Sequence, residues 1–149
     1  MAVTLRDLAA NVAARRARRE AAFLAVHGLR GQPAITVGRT IVGWLRSAYH
    51  WQPRIDAVEP PDWILERERQ TLLLRAVNGD YAATWQDIDE LAVRKAHGGI
   101  DLVALAAPAG VPEPEELLGM PWEGLRTWGS LELERIYVEI EHEIGGMEF

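Results

Sequence analysis

The 149-residue sequence contains no cysteine. A disulfide framework, a thiol nucleophile and a cysteine-bound zinc ion are therefore excluded. Serine is almost as rare, since Ser47 and Ser130 are the two serines and neither stands in a Gly-x-Ser-x-Gly sequence. The glycine-rich sequences that bind phosphate or dinucleotides are also missing. These absences leave no candidate catalytic residue and no expected cofactor, so we do not expect an enzyme.

The sequence also lacks the long apolar segments of membrane proteins. No run approaches the roughly 20 apolar residues that cross a bilayer. The N-terminal arginines are not followed by the apolar core and small-residue cleavage site of a secretory signal. We therefore expect no membrane association and a cytoplasmic location, with packaging in a viral particle as the other location that fits.

Lysine is nearly absent, because Lys95 is the single lysine among 16 basic residues. Arginine codons can be rich in G and C whereas lysine codons cannot, which indicates a GC-rich bacterial or phage genome.

A hydrophobic content of 48% with 26% charged residues is typical of a folded globular chain. We predict a basic helical arm over residues 1–31 and a helical domain over residues 32–149, with a proline-rich connector at 53–62.

Charge is divided along the chain. Residues 1–58 contain nine arginines and three acidic residues, a net charge of +6, whereas residues 59–149 have a net charge of −12. A chain polarised in this way attracts its own opposite half, a second copy or a polyanion.

Residues 4–29 are predicted to form one long helix. Thr4 and Asp7 have the spacing of a capping box, and Gly28 supplies a stop. Large apolar side chains fall on one face of this helix, and alanines cover the opposite face, where a neighbouring helix could approach closely. The large-residue face is interrupted by an arginine cluster, which comprises Arg15, Arg16, Arg18 and Arg19.

The remaining segments predict an all-α domain of five to six helices. Apolar periodicity and stop signals place the further helices at residues 36–52, 62–77, 84–97 and 100–107. Residues 131–144 fit either a helix, with Ser130 as its cap, or a half-exposed strand of alternating Ile, Val and Glu. We favour the helix because no other segment offers an equally good partner strand.

A metal site has one candidate motif. Glu139-x-x-His142 has the spacing that dinuclear carboxylate bundles use, but such sites need a second copy of the motif, and the sequence contains none. We therefore expect no metal, and a solvated acidic face at this position.

The arginine cluster is the best candidate for a binding surface. Its arginines either extend into solvent with their stems over apolar surface, or contact a partner together with Phe23. Tryptophan and arginine are enriched at interface hot spots, so further interface anchors are nominated at Trp63, Trp122 and Trp128.

These observations predict a non-enzymatic adaptor, assembly component or regulator, in the context of a phage or mobile element. It would associate with another protein or with itself, through the basic N-terminal helix and the acidic C-terminal half. The alternative is a nucleic-acid-binding protein whose arginine cluster contacts phosphates. Against this alternative stand the net charge of −6 and the lack of a known nucleic-acid-binding motif.

Overall fold

The computed structural model describes residues 4–54, 62–111 and 124–147, with side chains described as far as residue 140. The described residues form four helices and a five-stranded mixed sheet, so the prediction of an all-α fold was wrong. The helices are α1 (Leu5–His27), α2 (Ala34–Tyr49), α3 (Trp85–Ala96) and α4 (Ser130–Met147). The strands are β1 (Gln52–Pro53), β2 (Asp62–Arg67), β3 (Gln70–Ala76), β4 (Leu102–Ala106) and β5 (Leu125–Trp128).

The strands lie in the sheet in chain order. The β1–β2 and β2–β3 pairs are antiparallel, whereas β4 runs parallel to β3 and β5 runs parallel to β4. The α3 helix makes the crossover between β3 and β4, as parallel neighbours require. The carboxyl ends of β3, β4 and β5 therefore lie at one edge of the sheet, together with the beginning of β2.

The helix predicted over residues 62–77 is replaced by the β2–β3 hairpin. Arg67 pairs with Gln70 across a two-residue turn, and Glu68 in this turn has a left-handed backbone with φ of 54°. Such turns usually carry glycine or asparagine. Because charged residues occupy this turn, the hairpin was not predicted from the sequence. The leucines of β3 are buried on both sides of the sheet, which is the continuous apolar run of a central strand.

The short helix predicted over residues 100–107 is also wrong. This segment forms β4, which pairs with β3 on one side and β5 on the other. Val103 and Leu105 contact the α3 side of the sheet, and Ala104 and Ala106 contact the opposite side. A short apolar run of this kind does not distinguish a buried strand from a buried helix by periodicity.

The remaining helix predictions were confirmed, with small shifts of the ends. The α2 helix ends at Tyr49, before Pro53, because His50 adopts a left-handed backbone at its C-cap. The α3 helix begins after Thr84, which forms a capping box with Asp87. The segment 131–144 belongs to α4 and is helical, so the strand interpretation is excluded.

Two apolar layers enclose the sheet. The α2 and α4 helices pack on one face against Trp63, Leu65 and Leu74. The α3 helix covers the other face and places Ile88 and Leu91 against Leu73 and the β4 valine and leucine. The predicted helical domain over 32–149 is thus an α/β layer structure, and most of the connector, residues 55–61, lies outside the described residues.

The sheet together with α2, α3 and α4 is called the body below. The α1 helix is attached to this body through its C-terminal end. Ala22 and Val26 are buried, and the turn after β3 approaches the end of α1 so closely that a Cβ on Gly79 would lie 1.8 Å from the Leu29 carbonyl oxygen. The Gly31 backbone N–H also donates to Asp80 Oδ1 at 2.9 Å. This attachment fixes the direction in which the rest of α1 leaves the body.

Candidate interaction surface

No layer of the described residues covers the first half of α1. Its N-terminus is capped because Asp7 Oδ2 accepts from the Thr4 hydroxyl at 2.8 Å and from the Thr4 backbone N–H at 3.2 Å. These hydrogen bonds lower the pKa of the Asp7 carboxyl below its ordinary value. Residues 4–17 are exposed along their whole length, so the helix here is held by its cap and its own backbone bonds.

A seven-residue apolar pattern runs along α1 and continues beyond the body. Positions at alternating spacings of three and four form a seam that comprises Leu5, Leu8, Val12, Arg15, Arg19, Ala22, Val26 and Leu29. The last three are at most 4% exposed, whereas Leu5, Leu8 and Val12 are 85%, 49% and 55% exposed. We call Leu5, Leu8 and Val12 the distal seam, Ala22, Val26 and Leu29 the proximal seam, and residues 5–17 the distal helix. The same side of the helix is therefore covered at one end and open at the other.

The arginine cluster lies where the seam changes from covered to open. Arg15, Arg18 and Arg19 line a depression with Val138 and Glu139 of α4. Arg16 and Arg19 line the next depression with Glu134. Among the described residues none of the four arginines makes an ion pair, so Glu134 and Glu139 lie beside the cluster without forming a salt bridge to it.

The α1 and α4 helices run in opposite directions. Phe23 and Val26, late in α1, lie near Ser130 at the beginning of α4, whereas Arg15 lies near Glu139. A groove of about 650 Å³ opens between the two helices. Its lining comprises Arg19, Ala22, Tyr49, Leu131, Glu134, Arg135, Val138 and Glu139. It thus combines apolar surface with both signs of charge.

Phe23 is an exposed member of this surface. Its side chain is 57% exposed and stacks on the His27 ring at a centroid distance of 5.9 Å. Leu24 is 65% exposed and lines the same depression as Arg16, Arg19 and Phe23, although it does not occupy a seam position.

The nominated tryptophans differ in their surroundings. Trp63 is 6% exposed and belongs to the core under α2, so it is not available as a surface anchor, and that prediction is corrected. It is buried because β2 is a strand with this residue on its α2 side. Trp128 is half-buried and packs against the same core, and Trp122 lies outside the described residues.

A buried charge cluster lies at the carboxyl edge of the sheet, and it was not predicted from the sequence. Asp62 and Arg75 are paired across β2 and β3, and Arg75 Nε and Nη2 donate to the two Asp62 oxygens at 2.6 and 2.9 Å. Arg75 Nη1 also donates to Glu90 of α3, and Asp87 lies 3.5 Å from the same nitrogen. Arg94 Nη1 donates to Asp62 at 2.6 Å.

Each charged side chain of this charge cluster is paired with another member of the cluster. The members are Asp62, Arg75, Asp87, Glu90 and Arg94. The carboxylates that surround Arg75 raise its pKa above the ordinary value, the hydrogen bond to Asp62 being the main cause. Open α/β sheets often bind ligands at this edge, but here the guanidinium fills the space between the carboxylates. Among the described residues, no group of three or more His, Asp or Glu side chains is placed to hold a metal ion.

A further depression, of about 360 Å³, lies beside the C-terminal end of α3. Its lining includes Arg54 after β1, Thr71 of β3, Arg94 of α3 and His97 after α3. His97 Nδ1 lies 2.7 Å from the backbone oxygen of Val93, and the described residues that line the depression include no carboxylate. Among these residues, none is an acid that could orient His97 for catalysis.

Comparison with known protein families, with curated proteins and with solved structures finds no match to this chain. In the part of the chain that the structure describes, no helix combines the length and apolar character that a bilayer crossing requires.

Proposed function

We propose that the protein is a non-enzymatic interaction protein, an assembly component or regulator, that docks to another protein through α1. The observation that carries the proposal is the open distal seam, where Leu5, Leu8 and Val12 are about half exposed or more on a helix that leaves the body. A cytoplasmic location and a bacterial or phage context remain part of this proposal.

The distal helix lacks a packing partner for its apolar side chains among the described residues. Isolated helices shorter than about 12 to 15 residues are marginally stable in water, and each of residues 5–17 is exposed. Each large aliphatic side chain that a partner buries contributes about 1.5 to 3 kcal/mol. A partner that covers the distal seam would therefore stabilise the helix and gain affinity from the same contacts.

The test is site-specific photo-cross-linking from two positions on α1. A photoreactive residue replaces Leu8 in one sample and Ala10, an exposed alanine on the opposite face of α1, in the other. Both proteins are tested in extract from cells that make the protein. We expect a discrete cross-linked partner from position 8 and none from position 10, because the two side chains lie on opposite faces of the helix. The cross-link from position 8 should disappear when the same chain also contains Val12→Asn. Equal cross-linking from both positions would contradict the proposal.

A second candidate function is nucleic-acid binding. Its support is that Arg15, Arg16, Arg18 and Arg19 make no ion pair among the described residues, so their charge is available to phosphates. Glu134 and Glu139 beside them reduce the positive potential. Affinity for duplex DNA measured at two salt concentrations decides the matter, since phosphate contacts require binding that weakens steeply with salt.

A further inference from the structure

We infer that the occupant of the distal seam is an acidic amphipathic helix of a partner protein, laid antiparallel to α1. This inference rests on the proposed function, because it names the chemistry of the partner that α1 would bind. It is drawn from the way the covered half of the same seam is built.

The covered half of the seam contains an internal example of such a partner. The α4 helix packs antiparallel to α1 beside Ala22 and Val26. Residues 130–147 include five glutamates and one arginine, and Glu134 and Glu139 face the arginine cluster. The partner of the proximal seam is thus an acidic amphipathic helix, and the seam continues toward the N-terminus of α1 in the same seven-residue pattern, where Leu5, Leu8 and Val12 are exposed.

The charges beside the distal seam restrict the occupant. A helix lying over Leu8 and Val12 must next meet Arg15 and Arg16, which are exposed. In the antiparallel orientation the N-terminal turn of the incoming helix lies at these arginines. Acidic residues are favoured in that turn by the helix dipole as well as by the arginines. A basic or neutral helix would leave the arginine charge uncompensated on desolvation.

A second copy of α1 fits the seam less well. In a parallel pair Arg15 would lie opposite Arg15 of the second copy, and Arg19 opposite Arg19. The repulsion between these like charges disfavours the parallel pair. An antiparallel pair would place Arg15 against Leu5 of the second copy. Leu5–His27 contains only Asp7 and Glu20 as acidic residues, so the second copy offers few carboxylates to the cluster.

The experiment uses the full chain and two fluorescent peptides. The first peptide has the sequence of residues 130–147, the chain's own acidic amphipathic helix, and the second replaces its five glutamates with glutamine. Fluorescence anisotropy measures binding of each peptide to the wild type, to Leu8→Asn/Val12→Asn, to Arg15→Glu/Arg16→Glu and to the control Ala10→Asn, which lies on the opposite face of α1. The substituted side chains are exposed, and circular dichroism checks that the variants fold.

We expect the acidic peptide to bind and the glutamine peptide to bind at least roughly tenfold more weakly, a difference of about 1.4 kcal/mol. The seam variant and the arginine variant should each bind the acidic peptide at least about tenfold more weakly than the wild type, and Ala10→Asn should bind it as the wild type does. A second measurement, light scattering of the protein alone, determines whether it forms a dimer.

Three results would overturn the inference. One is equal binding of the two peptides, or no binding of either. Another is binding of the acidic peptide that Leu8→Asn/Val12→Asn leaves unchanged, because the peptide would then be displacing α4 from the proximal seam. The third is a dimer that the seam variant dissociates, which would make a second copy the occupant. The third result would contradict the acidic partner helix but not the proposed docking through α1. Failure of the cross-linking test would contradict the proposed docking itself.

Discussion

Asp62 and Arg75 face each other across the β2–β3 hairpin and are joined by two hydrogen bonds of 2.6 and 2.9 Å. Both side chains are less than a tenth exposed. A buried guanidinium needs this kind of compensation, because desolvation of an unpaired charge is costly. Glu90 and Arg94 of α3 bond to the same pair, so the pair also ties α3 to the sheet.

Replacing Asp62 with asparagine should therefore destabilise the fold strongly. Asp62→Asn keeps the shape but leaves Arg75 without its main counter-charge, and breaking a buried ion pair in this way costs about 3 to 5 kcal/mol. Glu66→Gln on the same strand is the control, because the Arg54–Glu66 pair is separated by 3.5 Å and is largely exposed; it should cost less than about 1 kcal/mol. Urea unfolding compares the two, and similar losses would contradict the assignment.

Acid should weaken the contact between α3 and the sheet through Glu90. The hydrogen bond from Arg75, with a further one from Gln86, lowers the pKa of the Glu90 carboxyl below 4.5. The unfolded chain then binds more protons than the folded one between the two pKa values, so stability is full above 4.5 and falls as the pH drops through the lower value.

Urea midpoints measured from about pH 6 down to about pH 3 test this effect. Glu90→Gln should show a shallower acid loss than the wild type. Asp89→Asn removes an exposed carboxylate from the same helix that is not bonded to Arg75, and it should retain the wild-type slope. A Glu90→Gln variant with an unchanged acid profile would show that this ion pair does not contribute to folding.

The sequence predicted helices where caps and periodicity agreed, and it failed where burial on two faces removed the periodicity. Thr4 with Asp7, and Thr84 with Asp87, marked the beginnings of α1 and α3 correctly. The leucines of β3 and the apolar run of β4 carry no alternation, because a central strand is covered on both sides. With a turn at Glu68 that lacks glycine, nothing local distinguished the hairpin from a helix.

The interaction surface was predictable in part. The arginine cluster and Phe23 were found from composition and helical spacing, and the seven-residue repeat of the seam was present in the sequence but was not recognised. The exposure of Leu5, Leu8 and Val12 depends on where the body ends, which is a tertiary property. The bond between Asp62 and Arg75 depends on strand register in the same way, so it was not accessible from spacing alone.

Two glycines of α2 should respond in opposite directions to alanine. A Cβ at Gly38 would lie 2.2 Å from Trp63 Nε1 in the core, whereas a Cβ at Gly43 meets no atom within 4 Å. Gly38→Ala should cost about 1 to 3 kcal/mol through overpacking, and Gly43→Ala should gain about 0.5 to 1 kcal/mol from helix propensity. Thermal unfolding measures both, and a stabilising Gly38→Ala would contradict the packing of Trp63 beneath α2.

The two capping boxes should differ in what they stabilise. Asp7 and Asp87 each accept from the backbone N–H of the preceding cap threonine, at 3.2 and 2.9 Å. Asp87 lies beside Arg75 at the edge of the core, so Asp87→Ala should lower global stability by about 1 kcal/mol or more. Asp7 caps a helical segment that touches no core, so Asp7→Ala should leave the melting temperature unchanged.

Hydrogen exchange separates the local effect from the global one. In Asp7→Ala the amides of the distal helix should exchange severalfold faster, while amides near Ala22 and Val26 keep their protection. The reason is that a segment with few buried contacts opens locally, without global unfolding of the protein. In Asp87→Ala the slowest amides of the sheet should exchange faster instead. A drop in melting temperature in Asp7→Ala would mean that the distal seam already packs against the body, and the open surface that the docking proposal requires would not exist.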